Sequence, residues 1–247
     1  MSDDFDGDGK TDPTVFRPST GSWYVLKSST NYTTSFGVPW GLSTDVPMPG
    51  DYDGDGITDI AVFRPSTGGW HILKSSTNYS SSFSASLGLS GDVPLPGDYD
   101  GDGKTDPAVY RSGAWIILQS NTGYAPLSLS LGLSTDTPVP ADYDGDGRFD
   151  LAVFRPSTGG WSILESSSNY TTTLSASFGT GSDAPLANVI VANSIAALGL
   201  QNTDIRRTGD FDGDVTADIT VFRPTNSTWY KYGVGPSVYG TIGDIPV

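Results

Sequence analysis

The 247-residue sequence has no cysteine, one histidine and one glutamate. Without cysteine there is no thiol catalysis, no disulfide and no Cys-ligated zinc. With only His71, a histidine-rich zinc site or a Ser-His-Asp triad has too few members. No run of 18 apolar residues occurs, so no helical membrane span is expected. Positive charge is also scarce: 13 Lys and Arg face 28 Asp and Glu, a formal net charge of -15. Such a chain repels phosphate backbones, which argues against a nucleic-acid partner. What is abundant is Asp, Gly and Pro. All the carboxylates but Glu165 are Asp, and Gly (31) and Pro (17) make up about a fifth of the chain. That composition suits short strands joined by many turns rather than helices.

The Asp residues are not scattered. The segment Asp51-Tyr-Asp-Gly-Asp-Gly-Ile-Thr-Asp-Ile-Ala-Val-Phe-Arg-Pro-Ser-Thr-Gly-Gly-Trp70 recurs with small changes, its first Asp falling at Asp4, Asp51, Asp98, Asp142 and Asp210. The spacings are 47, 47, 44 and 68 residues, the last lengthened by an insertion over roughly 187–208. Each repeat reads as short strands: Ile60–Arg64, a turn over 65–69, Trp70–Lys74, a hydroxyl-rich stretch over 75–82, and a weaker strand near Phe83–Leu87. The phrase Gly88–Gly97 then leads to the next cluster. Four short strands in about 47 residues is the content of a propeller blade. The chain ends on Gly243-Asp-Ile-Pro-Val247 and begins on Ser2-Asp-Asp-Phe, two halves of one repeated phrase. The expectation is therefore an all-β, five-bladed β-propeller forming a single domain over 1–247, its ring closed by pairing of the termini. The insertion, with Asn188–Leu200 near helical spacing, is expected to add a short helix.

Within each cluster the carboxylates occupy relative positions 1, 3, 5 and 9. The sets are Asp4, Asp6, Asp8, Asp12; Asp51, Asp53, Asp55, Asp59; and Asp98, Asp100, Asp102, Asp106. The fourth is Asp142, Asp144, Asp146, Asp150 and the fifth Asp210, Asp212, Asp214, Asp218. Four carboxylates in nine residues repel one another unless a cation gathers them. Hard oxygens on short side chains, with glycines for tight turning, are what Ca²⁺ requires, and a backbone carbonyl commonly completes the set. Position 7 would supply it: Lys10, Ile57, Lys104, Arg148 or Thr216. An EF-hand is excluded, because its position 12 needs a bidentate Glu and here that position is Val15, Val62, Val109, Val153 or Val221. Mg²⁺ fits less well, since it keeps more water and takes fewer carboxylates. Up to five Ca²⁺ are expected, the fifth held most weakly because Val215 stands where the others have Gly9, Gly56, Gly103 and Gly147.

Asp-x-Asp-Gly-Asp-Gly-x-x-Asp followed by a Val-Phe-Arg strand resembles the FG-GAP/VCBS repeat family, relatives of which are the calcium-binding blades of integrin α-subunits and some propeller lectins. The resemblance spans nearly the whole chain except the insertion. It implies a β-propeller, calcium in the loops, and an extracellular or cell-surface setting with adhesive or carbohydrate-binding work. Integrin blades are longer and differ in number, so their ligand sites do not carry over.

Two repeated features are candidates for ligand binding: Trp23, Trp70, Trp115, Trp161 and Trp229, and Arg17, Arg64, Arg111, Arg155 and Arg223. Aromatic faces with Arg and Asp are what sugar grooves use, but the same residues would equally serve to pack blades and pair with carboxylates. No pair of carboxylates outside the repeats suggests a glycosidase, so the expectation is a non-enzymatic protein. Its expected partners are glycans or extracellular surface proteins. The alternative is a structural scaffold or self-assembling subunit that uses the insertion as a protein contact.

Overall fold

The computed structural model describes residues 3–186 and, beyond them, the strand segments 220–223, 228–231 and 237–238. The described strands form five small antiparallel sheets, one per repeat. The first contains β1 (Thr14–Arg17), β2 (Ser22–Leu26) and β3 (Ser35–Pro39). The second contains β4 (Val46–Pro47), β5 (Ile60–Arg64), β6 (Gly69–Leu73) and β7 (Ser82–Ser86), in that order. The third repeats the pattern with β8 (Val93–Pro94), β9 (Ala108–Arg111), β10 (Ala114–Gln119) and β11 (Ala125–Ser130). The fourth has β12 (Thr137–Pro138), β13 (Leu151–Arg155), β14 (Gly160–Leu164) and β15 (Thr173–Ser177). In the fifth, β16 (Ala184–Leu186) pairs with β17 (Thr220–Arg223), followed by β18 (Thr228–Lys231) and β19 (Ser237–Val238). The chain divides into two compact units, Met1–Val109 with Ile116–Leu127, and Tyr110–Trp115 with Ser128–Val247. The expected helical insertion over 187–208 and the fifth Asp loop lie outside the described residues.

Burial falls across each sheet in the order the sequence suggests. The continuous apolar run of β5 is buried at its first four positions, whereas β7 alternates exposed and half-buried residues. A strand covered on both faces needs apolar residues throughout, and an edge strand needs them on one face only. The expected strands are present, with β6 beginning one residue earlier than expected, at Gly69. The hydroxyl-rich stretch between the second and third strands opens with a short helical turn in four repeats. Ser28–Thr30, Ser75–Thr77, Ser120–Thr122 and Ser166–Ser168 each form one 3-10 turn.

The repeated Trp anchors each sheet. Trp70 lies opposite Phe63, with ring centroids 5.4 Å apart, and donates its indole N–H to the Leu87 carbonyl at 3.0 Å. Trp23, Trp115 and Trp161 repeat this with the carbonyls of Trp40, Leu131 and Phe178. All four are at most 2 % exposed. Burying a Trp with its one donor satisfied contributes packing without stranding a polar group. For the chain to pass this close, the turn before β6 must use glycine. Gly68 has φ +64°, and a Cβ there would stand 2.0 Å from the Gly88 carbonyl oxygen. Gly159 repeats the approach against Gly179 at the same distance.

These contacts predict that Gly68→Ala destabilises by more than about 2 kcal/mol, since backbone must move. Gly91→Ala is the control: its φ is +94° but nothing lies within 4 Å of the added carbon. It should cost only about 1 kcal/mol. Denaturant melts of the two variants check this, and equal losses would refute the assigned clash.

Candidate metal centres

Asp loops two to four each connect the first two strands of a four-stranded sheet, and loop one leads into β1. In the second repeat β4 leads through Gly50, which bridges Asp59, into β5. The sequence crowds four carboxylates into this turn, and the fold answers with backbone donors. Asp51 Oδ1 accepts the Gly54 N–H at 2.6 Å and Oδ2 the Gly56 N–H at 2.8 Å. Asp59 Oδ2 accepts from the Tyr52 N–H at 2.8 Å, and Oδ1 from the Ser75 N–H at 2.7 Å. The same pattern holds Asp4 to Gly7 and Gly9, Asp98 to Gly101 and Gly103, and Asp142 to Gly145 and Gly147. Asp12, Asp106 and Asp150 likewise accept the amides of Ser28, Ser120 and Ser166.

The hydroxyls come from the 3-10 turn. Ser28 Oγ donates to Asp8 and Ser29 Oγ to Asp6. Ser75 Oγ reaches Asp55 and Asp59, and Ser76 Oγ donates to Asp53. Ser120 and Ser166 donate to Asp102 and Asp146, while Ser167 donates to Asp144 and the Asn121 amide to Asp100. These serines belong to the site, and the sequence reading passed over them. Their signal was a Ser pair at 24 residues after the first Asp in repeats one, two and four.

The expected four-carboxylate cluster is found in a narrower form. Three Asp of each described loop bring an oxygen within 4.8 Å of one another: Asp4, Asp6, Asp8; Asp51, Asp53, Asp59; Asp98, Asp100, Asp106; and Asp142, Asp144, Asp146. Asp6 Oδ1 and Asp53 Oδ1 are buried and accept no hydrogen bond. A buried carboxylate oxygen without a donor is costly, and a hard cation would relieve it. At position 7, the Ile57 carbonyl is approached by Ser75 Oγ at 3.4 Å.

Among the described residues, four of the Trp candidates and two of the Arg candidates, Arg64 and Arg155, are used in packing and pairing. The four described Trp are buried as above. Arg64 forms a two-pronged pair with Asp45, at 2.9 and 2.8 Å, and Arg155 does so with Asp136, at 3.0 and 2.7 Å. Arg17 instead lies over the Tyr24 ring, 4.3 Å from its centroid, and donates to the Tyr24 hydroxyl. Trp229 and Arg223 stand on β18 and β17 at the matching register, opposite Phe222 and Thr228.

A family model described as an FG-GAP-like repeat matches residues 4–62 and 98–153. Residues 4–62 and 98–153 thus carry FG-GAP-like repeats. Among solved structures, one titled "Streptogramin B lyase structure" is similar over the whole of this chain and 68 % of its own, with a TM-score of 0.57 and 12 % identity. At that identity the likeness concerns fold alone, which is β-propeller-like. No curated protein matches the chain. Within the matched segments, loops two, three and four thus join the first and second strands of their sheets, and loop one leads into β1.

Burial also sets how these loops respond to pH. It pushes the Asp59 carboxyl up to about 6, against the amide and hydroxyl of Ser75 and the Tyr52 amide. Asp106 is pushed up to about 7 and Asp150 to about 6, again by burial first. Without metal, the folded state then binds more protons than the unfolded one between about pH 4 and 7, so stability falls as pH rises through that window. Each such Asp costs on the order of 3 kcal/mol at neutral pH. In chelator, the melting temperature should be higher at pH 5 than at pH 8. A metal-free melting temperature that rises over that range would contradict the burial of these carboxyls.

Proposed function

We propose that the protein is a calcium-binding, non-enzymatic β-propeller of the extracellular or cell-surface space, serving as an adhesive interaction module. The observation that carries this reading is the loop built four times over, with the oxygens Asp6 Oδ1 and Asp53 Oδ1 buried and unsatisfied. The donors fit calcium: they are all hard oxygens, on a turn held in shape by Asp51, Asp59 and their equivalents. Asp4, Asp6 and Asp8 would hold one ion, Asp51, Asp53 and Asp59 a second, and the trios of loops three and four two more. Bound calcium supplies positive charge that neutralises the trio, and no chemical step is assigned to it. Five Ca²⁺ would bring the formal charge of -15 to about -5.

The closure into five blades belongs to the same proposal. The first sheet has three strands among the described residues, while the others have four. The phrase at Gly243–Val247 matches the one that forms β4 at Val46–Pro47. Pairing it beside β1 would complete the ring.

Burial of the repeated Trp moves the partner surface elsewhere. A sugar stacks on an exposed aromatic face, and Trp23, Trp70, Trp115 and Trp161 offer none. This favours protein contact, through the residues that differ between blades, over a repeated glycan groove. Glycan binding through other exposed residues is the second reading, supported by the exposed Tyr24 and Tyr32.

Calcium at a hundred times its Kd stabilises by about 2.7 kcal/mol per site, which for a chain of this size raises the melting temperature by roughly 5–10 °C. An unchanged melt between excess chelator and millimolar Ca²⁺ would sink the calcium reading. A glycan array probed in calcium separates the partners: a blank array with folded protein supports the protein-contact reading, and calcium-dependent binding to related sugars supports the second.

A further inference from the structure

The described loops share their Asp and Gly positions and differ at position 7, which is Lys10, Ile57, Lys104 or Arg148. In loop four, Arg148 Nε and Nη2 both donate to Asp146 Oδ2, at 2.9 and 2.7 Å. Nη2 also donates to the Ser166 carbonyl, and Ser166 Oγ donates to Asp146 Oδ1 at 3.0 Å. The guanidinium therefore ties a carboxylate of the loop trio to the 3-10 turn, and its side chain is only 23 % exposed. Asp144 Oδ1, the counterpart of the unsatisfied Asp53 Oδ1, accepts the Asp146 N–H at 3.2 Å.

Loop two is the opposite case. Its position 7 is Ile57, which brings no charge, and Asp53 Oδ1 has no donor. Loop one is intermediate. Lys10 pairs with Asp8 Oδ2 at 3.1 Å, but the lysine side chain is 68 % exposed and Asp6 Oδ1 remains unsatisfied.

Resting on the calcium reading above, we propose that Arg148 is a resident cation of loop four that competes with calcium, so that loop two binds the ion most tightly and loop four least among the described loops. Two physical effects act in the same direction. Asp146 must release a two-pronged, charge-assisted contact before its Oδ2 can turn to a metal. The fixed positive charge beside the trio also repels a divalent ion. Loop four is thereby held in shape at calcium levels that leave it unfilled.

The test is calorimetric titration of the full chain with Ca²⁺, comparing the unaltered protein with Arg148→Gln and Arg148→Lys. Arg148→Gln should tighten the weakest of the binding steps that the described loops contribute about tenfold, and adding Asp144→Asn should abolish that gain. Arg148→Lys keeps the charge and should leave the weak step weak. Melts keep a structural role distinguishable. In chelator Arg148→Gln should melt below the unaltered protein, and millimolar calcium should close the gap. Unchanged or weaker calcium binding in Arg148→Gln, while the unaltered protein binds, overturns the proposal and leaves the calcium reading standing. A melting deficit equal in chelator and calcium overturns it too, by making Arg148 a packing residue only. Absence of calcium binding by every variant overturns the calcium reading and this proposal together.

Discussion

Crowding of carboxylates is the constraint on which the rest of the structure depends. Four Asp within nine residues cannot be folded into a hairpin without donors, and the chain supplies them in a fixed order. The first Asp takes two glycine amides, the last takes the amide of position 2 and a serine amide from the end of the next hairpin. Asp51 and Asp59 show the set in full. The glycines at positions 4 and 6 are thus needed twice, for backbone at φ +84° and +83° and for amides aimed at Asp51. The turn at Ser75–Thr77 exists to bring its amide and hydroxyls to the same loop, which fastens the end of β6 to the β4–β5 hairpin.

The loops also fasten repeats to one another. In the first unit the Thr58 amide donates to the Asp4 carbonyl at 2.7 Å, and the Thr105 amide to the Asp51 carbonyl at 2.6 Å. The Tyr79 hydroxyl lies 2.9 Å from both the Phe5 and the Thr58 carbonyls, joining two neighbouring loops through one side chain. Trp40 adds a further clasp by donating to the His71 carbonyl at 3.1 Å. In the second unit the Tyr170 hydroxyl donates to the Phe149 carbonyl of its own repeat at 2.9 Å. Within the first unit, whatever orders one of loops one to three therefore braces its neighbour.

This coupling explains what could be read in advance. The Asp spacing, the apolar runs such as Ile60–Phe63 and the Gly-rich turns are local signals, and each produced the expected element. The serines at 28, 75 and 166 carried one mark beyond composition, a fixed distance of 24 residues from the first Asp of their repeat. Their meaning depends on a hairpin folding back over roughly 20 residues, which no local pattern states. The roles of the Trp and Arg were undecidable for a different reason. A scaffold residue and a multivalent binding residue both repeat, and only burial separates them. Trp70 at 0 % exposure and Arg64 held on the buried Asp45 are placed for packing. Likewise the spacing 1, 3, 5, 9 could not say which three carboxylates converge, because that depends on which oxygens the amides have already taken.

Repetition also constrains where specificity can reside. In the described repeats the shared Asp and Trp are taken up by the loop and the Trp anchor, and Arg64 and Arg155 by their pairs with Asp45 and Asp136, so the surface differs between repeats at positions that vary. Position 7 is one, running from Ile57 to Arg148. The centre of the Trp strand is another: Tyr24, His71, Ile116 and Ser162 occupy equivalent places and none is buried. The turn after the third strand is a third, where Leu42, Leu89 and Leu133 are all more than half exposed and Thr180 stands at the matching place. A uniform frame thus carries its variable side chains at a few exposed points of its surface. The frame itself needs the loop charges balanced before it can present any of them.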